Sequence, residues 1–204
     1  MSKTINIYLL RHGKTLGAPA LYGKTDVKVD VRVQEQICRQ LVKRQLRVTK
    51  VISSPLARCR DLALKLLLAQ PELELAIAPE LREMDFGDLD GQAFDSIPEH
   101  WPQLESFWQN PAQHNLPNAE RLDEFYTRIS TYWTQFVEDV ADDTLIICHG
   151  GTIRMILASL LPLDWQNSAL YSVLQINHQS ISHIQLIKAE TTYNRVCSIS
   201  APIQ

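Results

Sequence analysis

The sequence predicts an α/β protein, a three-layer α/β/α sandwich built around a mostly parallel central sheet. Two observations lead to this prediction. Largely apolar runs at residues 5–10, 50–53 and 144–148 have the length and composition of strands buried on both faces. A segment with the 3.6-residue periodicity of an amphipathic helix lies beyond each run. In such a sheet the carboxyl ends of the parallel strands face one crevice, where ligands bind.

The remaining elements follow from local patterns along the chain. The predicted strands cover residues 5–10, 50–53, 73–78, 144–148, 173–176, 182–187 and 194–199. The predicted helices cover residues 32–47, 55–69, 122–140 and 152–161. Glycine, proline, lysine and aspartate dominate residues 13–30, which predicts a loop.

The first two predicted helices have clear sequence signals. Ile37 and Leu41 belong to an apolar series at helical spacing, which places a helix over residues 32–47. Ser54 and Pro55 fit the N-cap and the first position of the next helix, which we expect to continue to about residue 69.

The long segment at residues 82–119 reads as irregular, because prolines, glycines and bulky aromatic residues interrupt every periodic pattern. A connection of this length inside a compact domain usually has a function. We therefore predict one domain over residues 1–204, with a lid or specificity insertion at about residues 85–119.

Composition excludes several classes of protein. The chain has 204 residues, 45% of them hydrophobic and 21% charged, as in an ordinary globular domain. A net charge of -3 argues against a nucleic-acid-binding protein. The four cysteines form no C-x-x-C motif, which favours a reducing, cytoplasmic location. The apolar run at residues 153–161 contains Arg154 and is too short for a membrane span, and the first residues lack a signal-peptide pattern. A homodimer is left open.

Basic residues and histidines follow the three buried runs. They are Arg11-His12-Gly13, Arg58 and His149-Gly150-Gly151. If the strands are parallel, two arginines and two histidines converge on one point, which favours an anionic ligand such as phosphate. Each residue also has a plainer interpretation: Arg58 as a solvated surface cation, and each histidine as an ordinary hydrogen-bonding group.

Familiar nucleotide and metal motifs are missing. Two Gly-Lys-Thr triplets suggest a P-loop, but Tyr8 and Ala18 stand where the first glycine of that motif is required. The sequence has no G-x-G-x-x-G after a strand, no H-x-H and no H-E-x-x-H. We therefore expect no cofactor, and these motifs leave a metal ion possible without pointing to one.

Four blocks in order carry a family resemblance. They are Leu-Arg-His-Gly at residues 10–13, Ser-Ser-Pro-Leu-Ala-Arg at 53–58, residues 81–91 with Glu83 and Gly87, and His-Gly-Gly at 149–151. With these blocks the chain resembles the histidine phosphatase superfamily, which also contains the cofactor-dependent phosphoglycerate mutases. The resemblance implies the phosphoglycerate mutase-like fold and a metal-independent phosphomonoester hydrolase.

The resemblance also implies residue roles. His12 would attack phosphorus to form a phosphohistidine, and Glu83 would protonate the leaving oxygen. The residues implied to bind the phosphoryl group are Arg11, Gly13, Thr15, Arg58, His149 and Gly150. Two departures affect the phosphate site: Lys14 adds a positive charge, and Ala18 stands where many members have asparagine.

The substrate is predicted from residues 85–119, which contain no lysine or arginine and so would serve a phosphoglycerate carboxylate poorly. The Leu81–Asp88 stretch resembles the alpha-ribazole phosphatases, so alpha-ribazole 5′-phosphate is the predicted substrate. The candidate lid residues are Tyr22, Gly23, Trp101, Phe107 and Trp108. Four alternatives stay open: a phosphoglycerate mutase, a broad-specificity sugar phosphatase, a catalytically inactive phospho-ligand binding module, and aromatic residues that only pack the insertion.

Overall fold

A computed structural model describes residues 2–203 of the chain. Its strands are β1 (Lys3–Arg11), β2 (Lys50–Ser53), β3 (Glu74–Ile77), β4 (Thr144–Cys148), β5 (Ser180–Lys188) and β6 (Thr192–Pro202). Its α-helices are α1 (Val31–Arg44), α2 (Ala57–Ala69), α3 (Trp101–Gln109), α4 (Leu122–Asp139), α5 (Gly150–Leu160) and α6 (Ala169–Ser172). Short 3₁₀ turns lie at Pro79–Leu81, Gly87–Leu89, Phe94–Ser96 and Pro98–His100.

One sheet in the order β3-β2-β4-β1-β5-β6 forms the centre of the described chain. The first four strands in this order are parallel, β5 pairs antiparallel with β1, and β6 pairs antiparallel with β5. Arg11 is in register with Cys148, and Ser53 is in register with Ile147. The carboxyl ends of β1, β2 and β4 therefore lie side by side.

Apolar side chains cover both faces of this sheet. Ile7 and Leu9 of β1 belong to the cluster that includes α4 and α5, whereas Leu10 belongs to the cluster that includes α1 and α2. Both faces of the central strands are thus buried, which explains why β1 and β4 read as unbroken apolar runs. The predicted three-layer α/β/α class is confirmed.

Two local predictions are wrong. Helix α2 begins at Ala57 with Leu56 at its N-cap position, not at Pro55. The hydroxyl of Ser54 accepts a long bond of 3.4 Å from the N–H of Leu56 and lies 2.8 Å from Nε2 of His149, so its shorter bond is a tertiary contact and not a helix cap. Residues 173–176 form no strand, because β5 begins at Ser180 and pairs with β1 only from Ile181 onward.

The segment at residues 85–119 is more regular than expected, since it contains α3. Leu104 and Phe107, three residues apart on this helix, are buried in the main core. Trp101 and Trp108 pack against each other and against Phe94, with ring centroids 5.8 to 5.9 Å apart.

The carboxylate of Asp90 organises the loop at residues 22–25. It accepts hydrogen bonds from the backbone N–H groups of Gly23, Lys24, Thr25 and Phe86, at 2.9 to 3.1 Å. A side chain at Gly23 would place its Cβ 1.9 Å from the Met84 carbonyl oxygen, so only glycine permits this close approach.

We predict that Asp90→Ala lowers the free energy of unfolding by at least about 2 kcal/mol, because four backbone donors lose a charged acceptor. Asp90→Asn keeps one acceptor oxygen and should cost about half as much. Urea unfolding monitored by circular dichroism measures both values. Asp95→Ala, at an exposed position, is the control and should stay within about 0.5 kcal/mol of the parent. An Asp90→Ala variant as stable as this control would contradict the assignment.

Candidate active site

His12 directly follows β1 and lies against the end of β4. Its ring centroid is 5.1 Å from that of His149 and 5.3 Å from that of His178. Its Nδ1 is 2.7 Å from the carbonyl oxygen of Gly13, so this nitrogen carries the proton and donates. Nε2 is left with its lone pair and with no hydrogen bond to the described residues.

The electrostatic surroundings keep His12 neutral. The side chain is buried, and burial lowers the pKa of its imidazole well below the ordinary value. The nearby guanidinium of Arg58 lowers this pKa further, and that of Arg11 adds to the effect. A neutral imidazole with an unoccupied Nε2 is the form that can act as a nucleophile.

Packing explains why position 13 is a glycine. A Cβ at this position would lie 2.8 Å from Val29 and 3.0 to 3.1 Å from Val33 and Ile37. The glycine therefore makes room for α1 to pack against the end of β1. Its carbonyl orients His12, but Gly13 does not line the cavity described below.

Arg58 lies in the first turn of α2 and is fully buried. Its Nε donates to Nδ1 of His149 at 3.1 Å. Its two Nη groups donate to the carbonyl oxygens of Thr25, Tyr22 and Gly23, at 2.9, 3.0 and 2.7 Å respectively. These bonds leave one N–H on Nη1, and none of them pairs the guanidinium with a carboxylate. The solvated-surface interpretation of Arg58 is therefore wrong.

His149 supports Arg58 in this structure. Its Nδ1 accepts from Arg58, and its Nε2 is 2.8 Å from the hydroxyl of Ser54, so the proton resides on Nε2. Burial, followed by the charges around it, lowers the pKa of His149 well below the ordinary value. Because both ring nitrogens have protein partners, the direct phosphate contact implied for His149 is absent from this geometry.

Arg11 is a second, half-buried cation. Its Nη2 is 3.2 Å from Nε2 of His178, and its Nη1 donates to the carbonyl of Ile176. Its Nε is buried without a hydrogen-bond partner. A Cβ at Gly150 would lie 3.2 Å from the guanidinium carbon, so this glycine lets Arg11 lie against the start of α5. Burial lowers the pKa of Arg11.

Glu83 reaches the N-terminus of α5. One carboxylate oxygen accepts from the N–H of Gly151 at 3.0 Å, and the other accepts from the N–H of Met84 at 3.2 Å. A Cβ at Gly151 would lie 2.3 Å from the Glu83 carboxylate, so this glycine is required for the contact.

Two adjoining cavities meet at Glu83. The polar cavity, of 570 Å³, is lined by Arg11, His12, Lys14, Thr15, Ala18, Tyr22, Arg58, Glu83, Arg154 and His178 among others. The apolar cavity, of 370 Å³, is lined chiefly by Met84, Phe86, Phe107, Trp108, Leu122, Phe125 and Tyr171. Leu21, Glu83, Phe86 and Arg154 line both.

The structure thus brings together most of the residues selected from the sequence. Arg11, His12, Thr15, Arg58, Glu83 and Tyr22 line the polar cavity, and Phe107 and Trp108 line the apolar one. Gly13, His149 and Gly150 contact the lining residues from outside. Gly23 binds Arg58 through its carbonyl, and Trp101 packs on the aromatic cluster outside both cavities.

Among the lining residues that were not selected from the sequence, Arg154 and His178 have titratable side chains. Arg154 projects from α5, donates through Nε to the Leu174 carbonyl and has a pKa lowered by burial. The sequence did contain a signal for Arg154, because a single arginine in an otherwise apolar helix is rarely buried without a partner. His178 belongs to the turn before β5, and no local pattern in the sequence pointed to it.

Two further observations on residues 2–203 concern metal-binding groups and membrane-spanning helices. Within residues 2–203, no three histidine, cysteine, aspartate or glutamate side chains lie close enough together to hold a metal ion. No helix in the same range has the length and apolar character needed to cross a membrane.

Comparison with known proteins assigns the family. A protein named as a phosphoserine phosphatase, from Hydrogenobacter thermophilus, is 27% identical over 165 residues, which cover 79% of this chain and 78% of that protein. A protein named as a phosphoglycerate mutase, GpmB of Yersinia pestis, is 28% identical over 166 residues, covering 78% and 76% respectively.

Solved structures show the same fold. The alpha-ribazole phosphatase from Shigella flexneri superimposes with a TM-score of 0.78 at 23% identity, over 97% of this chain and 98% of that one. A mycobacterial glucosyl-3-phosphoglycerate phosphatase gives 0.78 at 22% identity, over 98% and 100%. The family model of the histidine phosphatase superfamily (branch 1) matches residues 7–198. The family and the enzyme class expected from the motifs are therefore confirmed, and this chain belongs to branch 1 of the histidine phosphatase superfamily.

Proposed function

We propose that this enzyme hydrolyses phosphomonoesters through a covalent intermediate on His12. The observation that supports this most strongly is the convergence on one cavity of a neutral, buried imidazole, the buried guanidinium of Arg58 and the half-buried guanidinium of Arg11. Neither Arg11 nor Arg58 has a carboxylate ion-pair partner among residues 2–203. A phosphoryl group supplies the missing negative charge, and guanidinium donors suit its oxygens.

The reaction uses two displacements at phosphorus. Nε2 of His12 attacks, the bond to the ester oxygen breaks, and Glu83 gives that oxygen a proton, so that the alcohol leaves. Glu83 then takes a proton from water, the hydroxide oxygen attacks the phosphohistidine, and phosphate and neutral His12 are released. The charge that develops on the phosphoryl oxygens is stabilised by positioned donors, which is the main requirement of phosphoryl transfer.

The donors available for those oxygens can be counted. Arg11 keeps one N–H on each Nη, while Arg58 keeps one N–H on Nη1. His149 acts through Arg58, whose Nε it holds. Gly13 contributes by fixing the tautomer of His12.

The apolar cavity supports a substrate with a bulky aromatic alcohol part, and we propose alpha-ribazole 5′-phosphate. This cavity adjoins the polar one at Glu83, where the leaving oxygen must lie for protonation. Phe107, Trp108 and Phe125 offer ring surfaces to a benzimidazole base. A phosphoglycerate would find only Arg154 as a cation among the residues that line this cavity.

We predict that His12→Ala lowers kcat with 4-nitrophenyl phosphate at least about 1,000-fold, because the nucleophile is removed. Acid quench with a ³²P-labelled substrate should trap phosphoprotein in the parent and none in the variant. His114→Ala, an exposed histidine distant in the chain, is the control and should behave as the parent. Substantial hydrolysis by the His12 variant would refute the covalent mechanism.

We predict that Glu83→Gln slows hydrolysis of an alkyl phosphate by about 100-fold or more, because an alkoxide leaves poorly without a proton. Formation of the phosphoenzyme from 4-nitrophenyl phosphate should slow far less, since nitrophenolate needs no proton. Rapid-quench kinetics separates this step from water attack. The exposed Glu80→Gln serves as the matched control. Equal losses with both substrates would argue against Glu83 as the proton donor.

We predict that kcat/KM for alpha-ribazole 5′-phosphate exceeds that for ribose 5-phosphate. Trp108→Ala should lower the ratio of these two kcat/KM values about tenfold, because a stacking surface for the base is lost. Trp101→Phe should leave the ratio unchanged, because Trp101 lies outside both cavities. If Trp108→Ala lowers activity on both substrates equally, the aromatic residues only pack the insertion.

A further inference from the structure

His178 belongs to the turn that leads into β5, at the point where β5 meets β1. The antiparallel pairing of these strands places Ile181 opposite Leu10, so the preceding turn reaches the catalytic end of β1. The backbone N–H of Gln179 is shared between the carbonyl oxygens of Arg11 and His12, at 3.2 and 3.3 Å. The turn is thus fixed to the two residues that begin the active site.

The two ring nitrogens of His178 bond in opposite senses. Nδ1 lies 3.2 Å from the backbone carbonyl oxygen of His12, which can only accept, so Nδ1 carries the proton. Nε2 then has the lone pair and accepts from Nη2 of Arg11 at 3.2 Å. One imidazole therefore connects the backbone of His12 to the side chain of Arg11.

We propose that His178 is a positioning residue that aims Arg11 at the phosphoryl group, an inference that rests on the function proposed above. Arg11 has no carboxylate to hold it, and its two acceptors, His178 and the Ile176 carbonyl, both belong to this turn. Gly150 closes the other side of the guanidinium. The orientation of Arg11 thus depends on three groups, and His178 is the only one that acts through its side chain.

The arrangement requires a neutral His178. A proton on Nε2 would replace the acceptor with a donor directed at another cation. Burial, followed by the charge of Arg11, lowers the pKa of His178 to about 4, so the imidazole remains an acceptor at neutral pH. The Arg11 guanidinium keeps one N–H on each Nη for the ligand.

Two substitutions at this position separate the hydrogen bond from side-chain volume. His178→Leu removes the acceptor, whereas His178→Gln can present its amide oxygen to Arg11. We expect His178→Leu to raise the inhibition constant of inorganic phosphate and to lower kcat/KM by about 10- to 100-fold, the range for losing a bond to a charged group. His178→Gln should recover most of both effects. His183→Leu, which replaces a histidine of β5 that lines neither cavity, is the control.

A double-mutant cycle then tests whether the effect passes through Arg11. In an Arg11→Lys background, His178→Leu should change phosphate inhibition by less than about threefold, because the bond is already lost. The proposal is overturned if His178→Leu matches the parent or if His178→Gln is no better than His178→Leu. It is also overturned if the effects of Arg11→Lys and His178→Leu on phosphate inhibition multiply in the double variant. Phosphate binding measured by calorimetry gives the same comparison without turnover. A parent that binds phosphate but hydrolyses no ester would refute the proposed function and still test His178.

Discussion

A guanidinium buried without a carboxylate is the constraint on which this structure depends. Arg58 is fully enclosed, and an unpaired charge in that position would cost several kcal/mol without compensation. The chain compensates with four neutral acceptors, three carbonyl oxygens and one imidazole nitrogen. These accept from four of the five N–H groups of Arg58 but leave its charge unneutralised. Together with Arg11, which is held in the same manner, it makes the cavity electropositive and ready for an anion.

The parts of the fold that sequence could predict are those fixed by burial on two faces. Strands β1, β2 and β4 read as apolar runs because helices cover both sides of them. Errors arose where a tertiary contact overrides a local signal. Ser54 looks like an N-cap, yet its hydroxyl contacts His149 and the helix starts later. The apolar residues 173–176 look like a strand, but that part of the chain has no neighbouring strand to pair with.

The residues of the candidate site also fall into two groups, those that the local sequence predicts and those that it does not. His12, Arg58 and Glu83 were accessible to sequence reasoning because they lie in recognisable blocks at strand ends or beside them. Arg154 and His178 were missed, because they become part of the site only through contacts with residues far away in the chain. Arg11 and His178, for example, are in contact across 167 positions. Periodicity and motif spacing carry no information about such a pair, which exists only after β5 docks beside β1.

The backbone of the loop at residues 22–25 is held from two sides, with N–H groups donating to Asp90 and carbonyl oxygens accepting from Arg58. The hydrogen bonds to the buried cation thus use no side chain of this loop, whose Tyr22 hydroxyl donates to the Ala18 carbonyl and whose Lys24 forms an ion pair with Asp85. Tyr22 nevertheless forms part of the wall of the polar cavity. Position 22 is accordingly a place where evolution, or a laboratory library, can alter selectivity while the catalytic framework stays intact.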